Sequence, residues 1–129
     1  MSKSVLCEEK DNICLITLNE EDTRNAISPE IIKELVSILE EIDNNKKISC
    51  AILTGAGTSF SSGGNLHEIN EMTENNNMSL RDIENWYRNG IQRIPMTFNK
   101  IDVPVIAAVN GLSIRSGNDL CTMFDIRIA

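Results

Sequence analysis

The chain has 129 residues, 41% of them hydrophobic, which is enough for one modest domain with one core and too little for two independent domains. Nineteen acidic residues against twelve basic ones give a formal charge of -7, and no Lys/Arg cluster is denser than Lys46-Lys47, which argues against a nucleic-acid-binding surface. The longest apolar run, Val103 to Val109, is far shorter than the roughly 20 residues a membrane helix needs, and Met1-Ser2-Lys3-Ser4 lacks the apolar core of a signal peptide; a soluble, cytoplasmic protein with no membrane partner is expected.

In chain order, Val5 to Glu8 and Ile13 to Leu18 are short β-type runs separated by polar Lys10-Asp11-Asn12, the pattern of an antiparallel hairpin. Ser28-Pro29 offers an N-cap followed by proline at the first helical position. Ile31, Leu35, Ile38 and Ile42 then recur at helical spacing, which predicts a helix from Pro29 to about Asn44. Ser49 to Leu53 reads as a buried strand that breaks at Thr54-Gly55-Ala56-Gly57, with a short helix from Leu66 to Met72 after it. Thr73 to Met78 reads as an exposed connection. Ser79 can cap a helix whose Leu80, Ile83, Tyr87, Ile91 and Ile94 share a face, with Pro95 kinking or restarting it.

Val103 to Val109 reads as another strand, ended by Asn110-Gly111; Gly117 to Met123 looks helical, and Asp125 to Ile128 begins a further strand. This order mixes hairpin with crossover connections and predicts layered α/β structure with helices packed on a sheet.

Cys7, Cys14, Cys50 and Cys121 are scattered without a C-x-x-C pair, and the lone histidine, His67, lies near none of them in sequence. The expectation is four reduced, mostly buried thiols, with neither a zinc site nor a disulfide framework.

Chemistry concentrates in two glycine-rich segments, each following a strand and leading towards a helix, where backbone N–H groups lie free to meet an anion. One is Ala51-Ile52-Leu53-Thr54-Gly55-Ala56-Gly57-Thr58-Ser59-Phe60-Ser61-Ser62-Gly63-Gly64-Asn65-Leu66; the other runs from Pro104 through Asn110-Gly111 to Gly117-Asn118-Asp119-Leu120. A dinucleotide-binding reading fails at Phe60, which occupies the third glycine position of G-x-G-x-x-G, and there is no G-K-[ST]. A serine hydrolase reading has Ser59, Ser61 and Ser62 near a glycine-rich turn but only His67 as base, and His67 reads as an exposed helix residue.

Together the two segments resemble the crotonase (enoyl-CoA hydratase/isomerase) superfamily: a strand, a T-G-x-G turn and F-S-x-G-x-D-L in the first, and K-P-V-I-A-A-V-N-G-x-x-x-G-x-G-x-[DE]-L, ending in C-D-I-R-I-A, in the second. Arg24-Asn25-Ala26 is similar to the family's R-N-A-L. The resemblance covers nearly the whole chain. It implies an α/β fold of the crotonase type, a ββα superhelix or spiral of which these residues supply only the first turns, as the N-terminal part of a single acyl-CoA-binding domain.

What the resemblance implies for function is an acyl-CoA thioester as substrate, with no separate cofactor, and an enolate held by two backbone N–H groups. By position these are Gly64 and Ser116. Such preorganised donors are worth roughly 10²- to 10³-fold each. Asp119 takes the place of the first of two acid–base carboxylates; the second lies beyond residue 129, so no residue here is assigned that role. Aspartate at that position resembles dienoyl-CoA isomerases, where glutamate suits the hydratases. Ser62, Gly64 and Leu66 carry over as contacts to coenzyme A, Arg24 as a phosphate contact, and a homotrimer or hexamer as the assembly.

The chain departs from the pattern in four places. Arg115 stands where glycine is usual and Ser116 where glycine or alanine is typical; Asn65 replaces an aspartate; Phe124 occupies a site for a small residue, where it is expected to overpack. These departures, with the missing carboxylate, leave a non-catalytic coenzyme A-binding or interaction module as the alternative to a hydratase or isomerase.

Overall fold

A computed structural model describes residues 2–74 and 77–129 of the chain. The opening hairpin pairs β1 (Val5–Lys10) with β2 (Ile13–Leu18), Lys10 facing Ile13 and Val5 facing Leu18. Its turn is Asp11-Asn12 with φ of 50° and 67°, the pair of positive values that a two-residue type I′ hairpin requires and that Asp and Asn tolerate better than most residues. The first strand therefore runs two residues further than its β-branched content suggests.

The helix α1 (Pro29–Asn44) has the expected bounds. Its Ser28 cap is made by Oγ accepting the Ile31 N–H at 3.2 Å. It buries Ile31, Ile32, Leu35, Val36, Leu39 and Ile42 in one cluster with the inward residues of the sheet: Val5, Cys14, Ile16, Leu18, Ala51, Leu53, Val105 and Ala107. The sheet is ordered β1-β2-β3-β5-β7, with β3 (Cys50–Gly55), β5 (Val105–Ala108) and β7 (Ile126–Ile128) all parallel to β2. On its other face Leu15, Ile52, Ile106 and Ile126 stand in register across four strands; Leu15 is 36% exposed and Ile126 54%.

Two strands escape the sequence reading: β4 (Ser59–Ser61) and β6 (Leu112–Ser113), paired in parallel as a second small sheet inside the glycine-rich segments. Each is too short to show alternation. The remaining helices are α2 (Leu66–Glu74), α3 (Leu80–Asn89), α4 (Arg93–Phe98) and α5 (Ser116–Thr122). The connection expected from Thr73 to Met78 includes positions 75 and 76, outside the described residues. Ser79 caps α3 through a reciprocal box with Asp82, and the chain restarts as α4 with Pro95 in its first turn. The apolar stripe proposed for this region is not core along its length: α3 buries no residue, Leu80 is 87% exposed, and only Ile94 is enclosed.

Two expectations need correction. Cys7 and Cys14 are joined as a disulfide, with Cα atoms 6.4 Å apart, because the hairpin register sets Cys7 opposite Ile16 and so makes Cys14 its diagonal neighbour on one face. Only Cys50 and Cys121 are free thiols. Nor is Phe124 merely extra volume: it packs edge-on against Phe98, with centroids 5.0 Å apart, and Phe60, at 6.4 Å, so all three phenylalanines form one cluster. No helix among the described residues is long and apolar enough to cross a membrane, and no group of three or more His, Cys, Asp or Glu among them is placed to hold a metal ion.

Candidate functional site

The connection from β3 to α2 is fixed by side chains from far upstream. Asn25, fully buried and at φ 55°, accepts the Glu20 N–H through Oδ1 and donates through Nδ2 to the carbonyls of Ala56 and Ser59, at 3.0 and 2.9 Å. Its own carbonyl accepts Ser61 Oγ at 2.8 Å. Ser62 donates its N–H to Arg24 and its hydroxyl to Thr23, and the Ile27 N–H reaches the Gly63 carbonyl at 2.8 Å. With Gly63 at φ 90°, a conformation open mainly to glycine, the chain then delivers Gly64.

The connection from β5 to α5 is seated on the first. Asn110 donates through Nδ2 to the carbonyls of Gly55 and Gly57 and accepts the Gly55 N–H through Oδ1. Ile114 donates its N–H to the Ser61 carbonyl at 3.2 Å. A β-carbon added to Gly117 would come within 2.6 Å of that same carbonyl, which is why α5 can lie so close to β4 only with glycine there.

Arg115, just before α5, has φ 53° and ψ -132°, a region that side chains other than glycine adopt at a cost of about 1–3 kcal/mol. Arginine where glycine is usual thus brings backbone strain. A clash is avoided because the facing residue is Gly63, whose added β-carbon would lie 2.8 Å from that of Arg115.

Gly64 and Ser116 consequently meet: a β-carbon built on Gly64 would be 3.6 Å from Ser116 Oγ. Among the described residues neither the Gly64 N–H nor the Ser116 N–H has a protein partner. Both residues line a cavity of about 900 Å³ whose walls include Ile27, Ile32, Ile69, Trp86, Ile94 and Leu120. Leu66 and Asp119 line it too, and Asp119 is exposed there. Arg24 and Ser62 are not part of the lining; Ser62 is spent on the Thr23–Arg24 turn. His67 is exposed and also outside the lining, and the hydroxyls of Ser61 and Ser62 are committed to main-chain carbonyls, so neither of these two serines is paired with a base.

Glu68 is a cavity residue that sequence reasoning passed over. Burial pushes its carboxyl above the ordinary carboxylate range, the charges of Glu30, Glu71 and Glu20 act in the same direction, and the hydrogen bond from Asn65 Nδ2, 2.9 Å long, opposes them. The available signal was the N-x-x-E spacing from Asn65 to Glu68, a helix-start pattern. Asn65 Oδ1 does accept the His67 N–H at the head of α2. A third cavity carboxyl, Asp82, is held below the ordinary range by the Ser79 hydroxyl and N–H.

A mostly apolar cavity lined by two residues with unpartnered backbone N–H groups, with carboxyls on its wall, has the chemistry to take an apolar ligand and to hold negative charge. The fold is that of a partial crotonase-like α/β structure. It superposes on an enoyl-CoA hydratase/isomerase from Xanthobacter autotrophicus Py2 with a TM-score of 0.88 at 25% identity, over 100% of this chain and 46% of that one. Residues 8–129 match the family model described as Enoyl-CoA hydratase/isomerase, and the chain belongs to that family. It is 35% identical to YngF of Bacillus subtilis over 131 residues, covering 100% of this chain and 48% of the relative. It is 32% identical to the Short-chain-enoyl-CoA hydratase of Clostridium acetobutylicum over 127 residues, covering 98% and 46%. The chain thus spans about half the length of the curated relatives it matches.

Proposed function

We propose that residues 1–129 form part of a single acyl-CoA-binding domain of a hydratase or isomerase, in which the Gly64 and Ser116 N–H groups stabilise a thioester enolate. Negative charge develops on the thioester oxygen when C2 loses a proton or when water adds at C3. Donors already aimed at that oxygen stabilise the transition state more than the ground state. Asp119 is the acid–base group of this reading, and hydration of an enoyl-CoA is the favoured reaction, with dienoyl-CoA isomerisation the other. The observation that supports it most is the convergence of two unpartnered N–H groups from separate loops on one cavity.

Isothermal titration of the chain with acetoacetyl-CoA, an enolate-like ligand, tests this. Binding that exceeds that of free coenzyme A is expected; absence of binding by a chain with a cooperative unfolding transition would sink it. Arg115, strained and cationic beside the donors, favours a second reading: a coenzyme A-binding module without turnover. That reading expects binding with neither hydration of crotonyl-CoA nor isomerisation of a dienoyl-CoA. Sedimentation of the chain checks the homo-oligomer that accompanies the family reading.

A further inference from the structure

The side chain of Ser116, not only its backbone, occupies the place where the two loops meet. Its Oγ lies 3.6 Å from the position of a β-carbon on Gly64, so it stands beside that residue. Ser116 is half-buried in the cavity wall, and its hydroxyl makes no hydrogen bond to another described residue, though it is not a buried orphan. The neighbouring serines differ: the hydroxyls of Ser61, Ser62 and Ser113 are engaged with Asn25, Thr23 and Cys121. An uncommitted hydroxyl beside Gly64, on a residue that also carries an uncommitted N–H and lines a largely apolar cavity, is a third donor without an acceptor among the described residues.

We propose that the Ser116 hydroxyl is a catalytic residue that donates a third hydrogen bond to the thioester oxygen as negative charge develops there. The proposal rests on the enolate-stabilising reading above. No covalent step is involved: the Oγ–H bond stays intact and the hydroxyl shares its proton with the oxygen, then relaxes as the enolate is reprotonated at carbon. The strained backbone at Arg115 belongs to this arrangement, because the φ and ψ of that residue set the direction in which Ser116 leaves the loop. A hydrogen bond to an ionic acceptor is shorter and stronger than one to a neutral carbonyl, so the third donor acts mainly on the charged state.

The test compares the wild-type chain with Ser116→Ala and Ser116→Gly, which keep the backbone donor and remove only the hydroxyl, glycine guarding against any effect of the alanine methyl. Affinity for acetoacetyl-CoA is expected to fall about tenfold in both, with affinity for free coenzyme A unchanged. The near-ultraviolet band of the bound enolate, followed against pH, is expected to move up by about one pH unit, a shift that a merely structural role would not produce. Equal affinity with an unmoved enolate band would overturn the proposal, as would tighter binding by Ser116→Ala, which would mean that the hydroxyl obstructs the site. If wild type fails to bind, both this proposal and the reading beneath it fall; if wild type binds and the variants match it, only the third donor falls.

Discussion

The two glycine-rich loops both end at a residue with an unpartnered N–H, yet they are held in place in different ways. The first is tied to chain segment 20–28 by Asn25, Ser61, Ser62 and Ile27, and all of these anchors but Ser62 are buried. The second has its tethers on the first: Asn110 on Gly55 and Gly57, Ile114 on Ser61, and Gly117 pressed against Ser61. Its tip is exposed and carries the strained Arg115. The order of dependence is clear from this difference: the first loop is a template, the second is positioned on it, and damage should spread from first to second rather than back.

The largest break in that hierarchy is expected from Asn25→Ala, which removes three side-chain hydrogen bonds and leaves the buried carbonyl of Ser59 and the part-buried one of Ala56 without their donor. A loss of about 3 kcal/mol or more in urea unfolding is expected, with faster amide exchange in both loops; a loss below about 1 kcal/mol would contradict the template role. Next comes Gly117→Ala, whose methyl would meet the Ser61 carbonyl and force the loops apart at a cost of about 2 kcal/mol. Gly64→Ala is its control. There the new carbon finds ordinary contacts, 3.4 Å from Ile69 Cδ1, so stability should stay within about 1 kcal/mol of wild type.

Arg115→Gly sharpens the comparison in the opposite direction. Relief of the positive φ, less the chain entropy that glycine brings to the unfolded state, should raise stability by about 1 kcal/mol, measured as a shift in the urea midpoint. A destabilised variant would show that Arg115 makes a compensating contact.

The smallest effect is expected at Glu68, at the far side of the first loop. Because burial raises its folded-state pKa, the folded form binds protons more tightly than the unfolded chain. That contribution to stability is complete below the unfolded pKa of glutamate and disappears as pH rises through the raised folded value. Glu68→Gln, which keeps an acceptor for Asn65, should therefore flatten the decline of stability across that mildly acidic window; an unchanged pH profile would show that the carboxyl titrates normally.

Local chemistry was legible in the sequence and long-range tethering was not. The bounds of α1 followed from Ser28, Pro29 and the recurrence of apolar residues, and the capping residue of α3 from Ser79, since each depends on neighbours within a turn or two. Both glycine-rich segments, and the cavity positions of Gly64, Leu66, Ser116 and Asp119, could be found from motif order. Asn25 and Asn110 drew attention only as part of R-N-A and as the end of a strand, because the carbonyls to which they donate lie 31 to 55 residues away. The Cys7–Cys14 pair was missed for a related reason: a spacing of seven carries no meaning until the hairpin register is known. Glu68 was overlooked because its raised pKa comes first from packing and then from Glu30, which is far from it in sequence, with smaller effects from nearby Glu71 and distant Glu20.

The row of Leu15, Ile52, Ile106 and Ile126 on the outward face of the sheet bears on how the chain behaves in concentrated solution. Beside that greasy band, β7 stands at one edge of the sheet among the described residues, and an edge strand offers its outer rim of backbone groups to a like strand. A stripe and an open rim together invite like strands to stack. The formal charge of -7 opposes that stacking through mutual repulsion, which added salt screens within about 10 Å at 0.1 M. Turbidity should therefore rise with ionic strength, so a dilute, low-salt buffer is the setting in which the ligand titrations are best read.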